Sequence, residues 1–299
     1  MRVFVTGATG FIGSAIVRQL INAGHRVLGL ARSDKAAESL TAAGAEVKRG
    51  SLEDLECLRS GAADTDAVIH AAFIHDFNNY GPAAAADVRA IETLGAALAG
   101  SDRRLIVTSG TLLARREGPL ATENDPVSTA FPRKSEEATH AAAERGAHVS
   151  IVRLPPSVHG EGDHGFVPAL INVAREKSVS AYVGDGFNRW PAVHRLDAAH
   201  LYRLVLEKGS HGATYHGVAD EGVPARDIAE IIGRHLNLPV ISKSSEEATS
   251  HFGWIGHFFA IDGPASSAQT RDRLGWRPVQ LGLISDLNAE HYFAIERAA

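Results

Sequence analysis

The chain has 299 residues, 44% of them hydrophobic and 22% charged, which supplies a buried core and excludes disorder for the bulk of it. Thirty Lys and Arg against thirty-five Asp and Glu leave a net charge of −5, which argues against a nucleic-acid partner, since that asks for a basic face. One cysteine, Cys57, cannot form an internal disulfide or supply a cysteine-based zinc site, and it reads as a buried thiol on a helix.

The chain opens on Met1-Arg2-Val3-Phe4-Val5, without a charged region followed by a long apolar run. No stretch reaches the ~18 uncharged apolar residues of a membrane span. The expectation is a cytoplasmic protein. Short β-rich runs follow at Val3–Thr6, Arg26–Leu30, Glu46–Arg49, Ala67–His70, Arg104–Thr108 and Val149–Arg153. Between them lie helical stretches such as Ser14–Ala23, Lys35–Ala43, Leu52–Ser60 and Ala83–Ala99. Strands alternating with helices predict βαβ units and an α/β fold, a Rossmann-type doubly wound parallel sheet. Near-continuous apolar strands suit a sheet covered on both faces. After Leu154 the rhythm changes: Pro155-Pro156 interrupts, a Gly-rich loop runs from Gly160 to Gly165, and helices are expected over Val167–Glu176, Asp197–Glu207 and Pro224–Leu236. The organisation expected is a dinucleotide-binding domain over 1–154 with a return segment at about 188–216. A smaller substrate lobe then takes 155–187 and 217–299.

Strand Val3-Phe4-Val5 runs into Thr6-Gly7-Ala8-Thr9-Gly10-Phe11-Ile12-Gly13 and a helix follows. This is G-x-x-G-x-x-G in strand–turn–helix context. Gly7 permits the tight turn, Gly10 lets the backbone approach a pyrophosphate, and Gly13 lets helix and strand pack closely. Thr6, Thr9, Phe11 and Ile12 complete the cofactor loop, whose helix end offers free N–H groups to phosphate. An acidic side chain ending the second strand would bind the ribose 2′-OH of NAD, whereas arginine accommodates the 2′-phosphate of NADP. Here the strand ends Leu30-Ala31-Arg32-Ser33. Arg32 can hold phosphate in a fork and Ser33 can add a hydroxyl, so NADP(H) is favoured over NAD(H). Asp34, beyond the strand end, is expected to cap the next helix.

These residues resemble the extended short-chain dehydrogenase/reductase family over almost the full chain. The cofactor loop carries the likeness first. His70-Ala71-Ala72 resembles that family's cofactor-lining turn, and Arg153-Leu154-Pro155-Pro156-Ser157-Val158-His159-Gly160 its segment bordering the nicotinamide. Gly184-Asp185-Gly186 through Val193-His194-Arg195-Leu196-Asp197 is similar to its substrate-lobe return, and Leu274-Gly275-Trp276-Arg277-Pro278 to its carboxyl-terminal signature. The resemblance implies cofactor contacts from Ser51, Leu52, His70, Ala71, Ala72, Thr108, Ser109, Pro155 and Ser157. It also implies pairing of two copies through helices around Ala83–Ala99 and Ser135–Glu144.

The family's Tyr-x-x-x-Lys motif is absent. None of the five tyrosines has lysine four residues on, and the matching segment reads Phe131-Pro132-Arg133-Lys134-Ser135-Glu136. Near the usual serine stands Thr108-Ser109-Gly110-Thr111, and Asp87-Val88 fills the region that often supplies asparagine. The chain resembles an atypical subgroup with a rewritten active site. Carbonyl reduction puts charge on oxygen and calls for donors and a proton source. Catalytic candidates are Thr111 as a hydrogen-bond donor, Arg133 and Lys134 as replacement cations, and His159 beside the nicotinamide. Substrate candidates are His75 (with Asp76 beside it), Arg189, Trp190 and His194. His159, Asp163 and His164 share one loop, which reads as a lid; no metal is expected. The function expected is NADP-dependent hydride transfer to or from a small or medium carbonyl or alcohol. The alternatives are a non-catalytic NADP-binding redox sensor and an NAD-dependent epimerase or dehydratase.

Overall fold

The computed structural model describes residues 1–75, 80–128 and 131–294. The first half alternates β1 (Arg2–Thr6), α1 (Phe11–Asn22), β2 (Arg26–Ala31), α2 (Asp34–Ala42), β3 (Glu46–Arg49), α3 (Leu55–Ala63), β4 (Ala67–His70), α4 (Tyr80–Leu98), β5 (Arg104–Gly110), α5 (Ser135–Glu144) and β6 (His148–Leu154). Then come β7 (Ser157–His159), α6 (Phe166–Lys177), β8 (Ser180–Val183), β9 (Arg189–His194), α7 (Arg195–Lys208) and β10 (Thr214–His216). The chain continues through β11 (Asp220–Pro224), α8 (Ala225–Leu236), β12 (Val240–Lys243), α9 (Ser245–Phe252), α10 (Ile255–Phe259), α11 (Ala268–Leu274) and α12 (Leu283–Leu287).

Seven strands form one parallel sheet in the order β10-β6-β5-β4-β1-β2-β3. The alternation of side chains along β1 explains why both faces are covered. Val3 and Val5 join the cluster of Ile16, Leu20, Leu201, Tyr202 and Val205 under α1 and α7. Phe4 points the other way, among Leu58, Ile91, Leu94 and Leu105 under α3 and α4. The order reverses beside β1, so a crevice opens at the carboxyl ends of β1 and β4, the usual ligand position in such sheets.

Cys57 lies on α3, buried, with its thiol donating to the Arg49 carbonyl at 3.1 Å. Burial pushes that thiol up from its ordinary pKa. α1 starts at Phe11, three residues before the run expected from apolar spacing, because Gly10 already takes the N-cap conformation. Ser33, not Asp34, caps α2, its hydroxyl accepting from the Ala36 N–H at 3.2 Å. Asp34 is the helix's first residue, and the shorter hydroxyl in extended backbone wins the cap.

A smaller lobe forms around Val167, Ile171, Trp190, Ile228, Ile232, Phe252 and Phe259. It contains a three-stranded sheet β11-β9-β7 and a two-stranded sheet β12-β8. The segment expected to return as one piece to the first domain divides. β9 pairs with β7 and β11, whereas α7 packs on α1 and β10 extends the large sheet. The reason is edge pairing: the β9 backbone finds its partners in the smaller sheet. Among the described residues no helix is long and apolar enough to cross a membrane.

Candidate active site

The glycine loop fixes the first part of the site. Gly7 has φ +68°, and a Cβ there would lie 2.8 Å from the Ala72 Cα. A Cβ on Gly13 would lie 1.9 Å from the Gly7 carbonyl oxygen, so neither position admits a side chain. Gly10 is different. A Cβ there would meet the Gly7 oxygen at 3.2 Å and otherwise fill open space at the end of α1. No side chain caps that helix end and no acidic residue stands in its first turn. The open backbone and free N–H groups fit a pyrophosphate. Thr6 sits behind the loop, bonded to His70 Nδ1 at 2.9 Å and accepting from the Ala72 N–H at 3.4 Å.

Arg32 emerges at the end of β2, exposed, and forms no hydrogen bond or ion pair among the described residues. The nearby acid is already taken: Asp34 pairs with Arg49 at 2.6 Å. Ser51 follows β3 with its hydroxyl accepting from the Glu53 N–H at 3.2 Å, and Leu52 packs against the core under α3.

A cleft of about 1100 Å³ begins at Phe11, Ile12 and Ala71, crosses the strand ends at Thr108, Ser109 and Pro155, and continues between walls of the smaller lobe. Arg133 stands in it. Its guanidinium lies 4.2 Å over the Phe73 ring, donates from Nε to Ser135 Oγ at 2.8 Å, and donates from Nη2 to the Thr108 carbonyl at 2.9 Å. Ser135 in turn donates to Asp87 at 2.5 Å, and Asp87 accepts from His70 Nε2 at 3.1 Å. Burial opposes ionisation of Asp87, but the bonds from His70 and Ser135, with Arg133 4.0 Å away, outweigh it and hold the carboxyl below its usual range. A polar chain therefore runs from the cofactor loop to Arg133.

Thr108 donates to the His70 carbonyl at 2.9 Å, so the Tyr202 hydroxyl 2.6 Å away must donate to Thr108. Ser109 donates to Glu136 at 2.6 Å, and Arg153 grips the same carboxylate from Nε and Nη2, each at 2.8 Å. Burial raises the cost of the Glu136 charge, but the Arg153 and Ser109 bonds outweigh it and lower its pKa. Ser109 thus has its one proton engaged, and its free lone pair can only accept.

His216 ends this buried network, bonded to the Ser266 carbonyl at 2.8 Å and to Arg153 at 3.4 Å. Burial pushes its pKa down to about 4. The unfolded imidazole protonates near 6.5 while the folded one stays neutral, so the unfolded state binds the extra proton as pH falls from about 6.5 to about 4. Stability is therefore expected to decline across that window. Urea midpoints at pH 7 and pH 5 check this, with His216→Gln reducing the difference; equal midpoints in the unaltered chain would refute it.

His75 and Tyr80 also line the cleft, with Phe73 between them at ring distances of 5.3 Å and 5.7 Å. Burial, with the Arg133 charge, lowers the His75 pKa. Burial raises that of Tyr80 against the opposing Arg133 charge, so the phenol keeps its proton at neutral pH. Tyr80 was passed over in the sequence because no lysine follows it at helical spacing. Its cationic neighbour comes from the start of another helix. Asp76 lies outside the described residues.

Several candidates are placed elsewhere. Thr111 is buried in the short turn Thr111–Leu113; its neighbours Gly110, Leu112 and Leu113 line the cleft and it does not, and its hydroxyl has no partner among the described residues. Lys134 pairs with Glu137 at 3.1 Å. His159 is fully buried against Asp286 at 2.7 Å, and His194 caps α7 through the Leu196 N–H with its ring 5.4 Å from His159. Ser157 is buried too. Trp190 is 0% exposed, with its indole N–H on the Phe258 carbonyl at 3.2 Å. It is lobe core, which corrects the expectation of a flat surface offered to substrate. Arg189 is likewise corrected: its guanidinium is engaged by Asp262 at 3.0 Å. Both sit on β9, which pairs with β7 and β11, and neither is among the residues that line the cleft. Among the described residues no group of three His, Cys, Asp or Glu is placed to hold a metal.

A doubly wound sheet with this glycine loop defines a nicotinamide-dependent enzyme of the short-chain dehydrogenase/reductase type. The chain belongs to the NAD dependent epimerase/dehydratase family, whose model matches residues 3–217. It is 53% identical over 295 residues to an uncharacterized protein of Schizosaccharomyces pombe, covering 98% of this chain and 100% of the other. It is 30% identical over 270 residues to a 2-alkyl-3-oxoalkanoate reductase of Stenotrophomonas maltophilia, covering 84% and 80% of the two chains. In fold it is similar to dTDP-glucose 4,6-dehydratase from Streptomyces venezuelae, with TM-score 0.77 at 22% identity over 96% of this chain and 95% of that one.

Proposed function

We propose that this chain is an NADP-dependent reductase of a small or medium carbonyl compound, with a proton relay unlike the family's usual one. One observation carries the reading: a single cleft joins the cofactor loop to apolar walls and holds Arg133 where the strands end. The reductase relative supports it. The cofactor, when bound, supplies hydride to the carbonyl carbon. Gly7, Gly10, Gly13 and the first turn of α1 hold its phosphates, and Arg32 with Ser33 holds the 2′-phosphate. Arg133 faces the charge that grows on the substrate oxygen. Tyr80 delivers the proton to that oxygen, with His75 beside it. Residues 1–154 with α7 and β10 form the cofactor half, and the rest form the substrate lobe. A cytoplasmic setting and pairing of two copies through α4 and α5 belong to the same reading.

The test follows NADPH absorbance with pooled aldehydes and ketones, with NADH in parallel. Substrate-dependent loss with NADPH and little with NADH is expected. NADPH binding without consumption across the pool would favour a sensor. Arg32→Ala is expected to weaken NADPH binding about 10- to 100-fold, the worth of one or two charge-assisted bonds. NADH binding should move far less. Equal losses for the two cofactors, measured by titration, would remove Arg32 from the 2′-phosphate site.

A further inference from the structure

The wall formed by α6 has a direction. Phe166, Ala169, Asn172 and Arg175 recur at three-residue spacing, and all line the cleft; each is a surface neighbour of the next, so the lining follows a stripe that winds along the helix. The near end is tied to the cofactor loop, because His164, two residues before Phe166, meets the Phe11 ring edge-on at 5.7 Å. At about 1.5 Å per residue, Arg175 stands roughly 13 Å further along the helix axis. Ile171 lines the cleft between those ends, and Trp254 and Phe258 add apolar rings.

The charges in this cleft are unbalanced. Arg133 and Arg175 line it, and Asp163 is the one carboxyl among the described lining residues. Asp163 already accepts from the Gly165 N–H at 2.7 Å and the Tyr292 hydroxyl at 2.9 Å, and burial raises its pKa. Arg175 donates to the Phe293 carbonyl at 3.2 Å and forms no ion pair among the described residues. A guanidinium offers five donors in a fork matched to a carboxylate, and one carbonyl leaves most of them open.

We propose that the substrate carries a carboxylate at the far end of an apolar body, held by Arg175 while its carbonyl lies beside Arg133. This rests on the reductase reading for the carbonyl end alone. The test uses NADP-loaded protein, with 10-oxo-10-phenyldecanoate, whose chain is long enough to span roughly 13 Å, and its methyl ester as probes. Binding is read from tryptophan fluorescence, since Trp254 lines the cleft at 41% exposure while Trp190 and Trp276 are fully buried. The acid is expected to bind about tenfold more tightly than the ester, and Arg175→Gln to erase most of that difference. Arg175→Lys should keep part of it, because the point charge survives and the fork does not. Equal binding of acid and ester, a difference that survives in Arg175→Gln, or no saturable binding of either would overturn the proposal. Should a variant fail to fold, the comparison of acid with ester on the unaltered chain still decides. NADPH consumption, followed with each probe, separates the two readings. Discrimination without consumption keeps the carboxylate site and counts against the reductase. Consumption of both probes without discrimination keeps the reductase and removes the carboxylate site.

Discussion

Replacing Arg133 by methionine is expected to lower kcat for the carbonyl substrate about 100- to 1000-fold, with a much smaller change in KM, as removal of a donor aimed at developing charge does elsewhere. The guanidinium is placed for this by four neighbours. Phe73 lies beneath it, Ser135 and the Thr108 carbonyl accept from it, and Asp87 holds Ser135. Its side chain is 14% exposed, so water screens it little. Arg133→Lys should recover only part of the loss, since an ammonium cannot satisfy Ser135 and the Thr108 carbonyl in the same plane. Steady-state kinetics on the substrate found in the pooled screen, with NADPH affinity measured separately, make the check. A kcat within threefold of the unaltered chain would take Arg133 out of the chemistry and leave Tyr80 and His75 as the groups to alter next.

Arg153→Met is expected to cost about 3–5 kcal/mol of stability, because it strands a buried carboxylate. Arg153 and Glu136 are 3% and 1% exposed, and the two-point grip between them is the only cation contact that Glu136 makes among the described residues. The double variant Arg153→Met with Glu136→Leu should regain most of the loss, since apolar replacement of a whole buried pair is often neutral. Urea unfolding of the two variants tests both statements. A single variant that loses less than about 1 kcal/mol would mean that Glu136 takes up a proton or finds another partner without penalty. The double variant also frees the Ser109 proton, so its NADPH affinity and turnover would report what that engaged hydroxyl does in the unaltered chain.

Much of the frame was legible in the chain. The strand–glycine–helix opening, the strand–helix alternation and the apolar runs Val3-Phe4-Val5 and Ala67-Val68-Ile69 specify a covered parallel sheet, because local periodicity and turn chemistry are properties of neighbouring residues. Gly7 and Gly13 could be given roles from sequence because each is a steric demand of one short turn. The place of Arg32, exposed one residue past a strand end, was legible for the same reason, and its hold on a 2′-phosphate belongs to the proposed function.

The candidate site was legible only in part. Arg133 came from its place after the fifth strand, but Tyr80 could not be paired with it, because the start of α4 meets the start of α5 only once the sheet is wound. Trp190 and Arg189 read as pocket residues beside a motif, yet β9 pairs with β7 and β11, which buries the indole and hands the guanidinium to Asp262. In the sequence either Ser135 or Glu136 falls where the family has lysine, and nothing there gives Glu136 a role. Its meaning depends on Arg153, which arrives from the neighbouring strand. The sequence by itself determined the fold class, the cofactor loop and the cation after β2, all set by contacts between close neighbours in the chain. The tertiary structure alone decided which charges are paired, which hydroxyl protons are engaged and which polar groups face the cleft, since burial and hydrogen-bond partners come from distant segments.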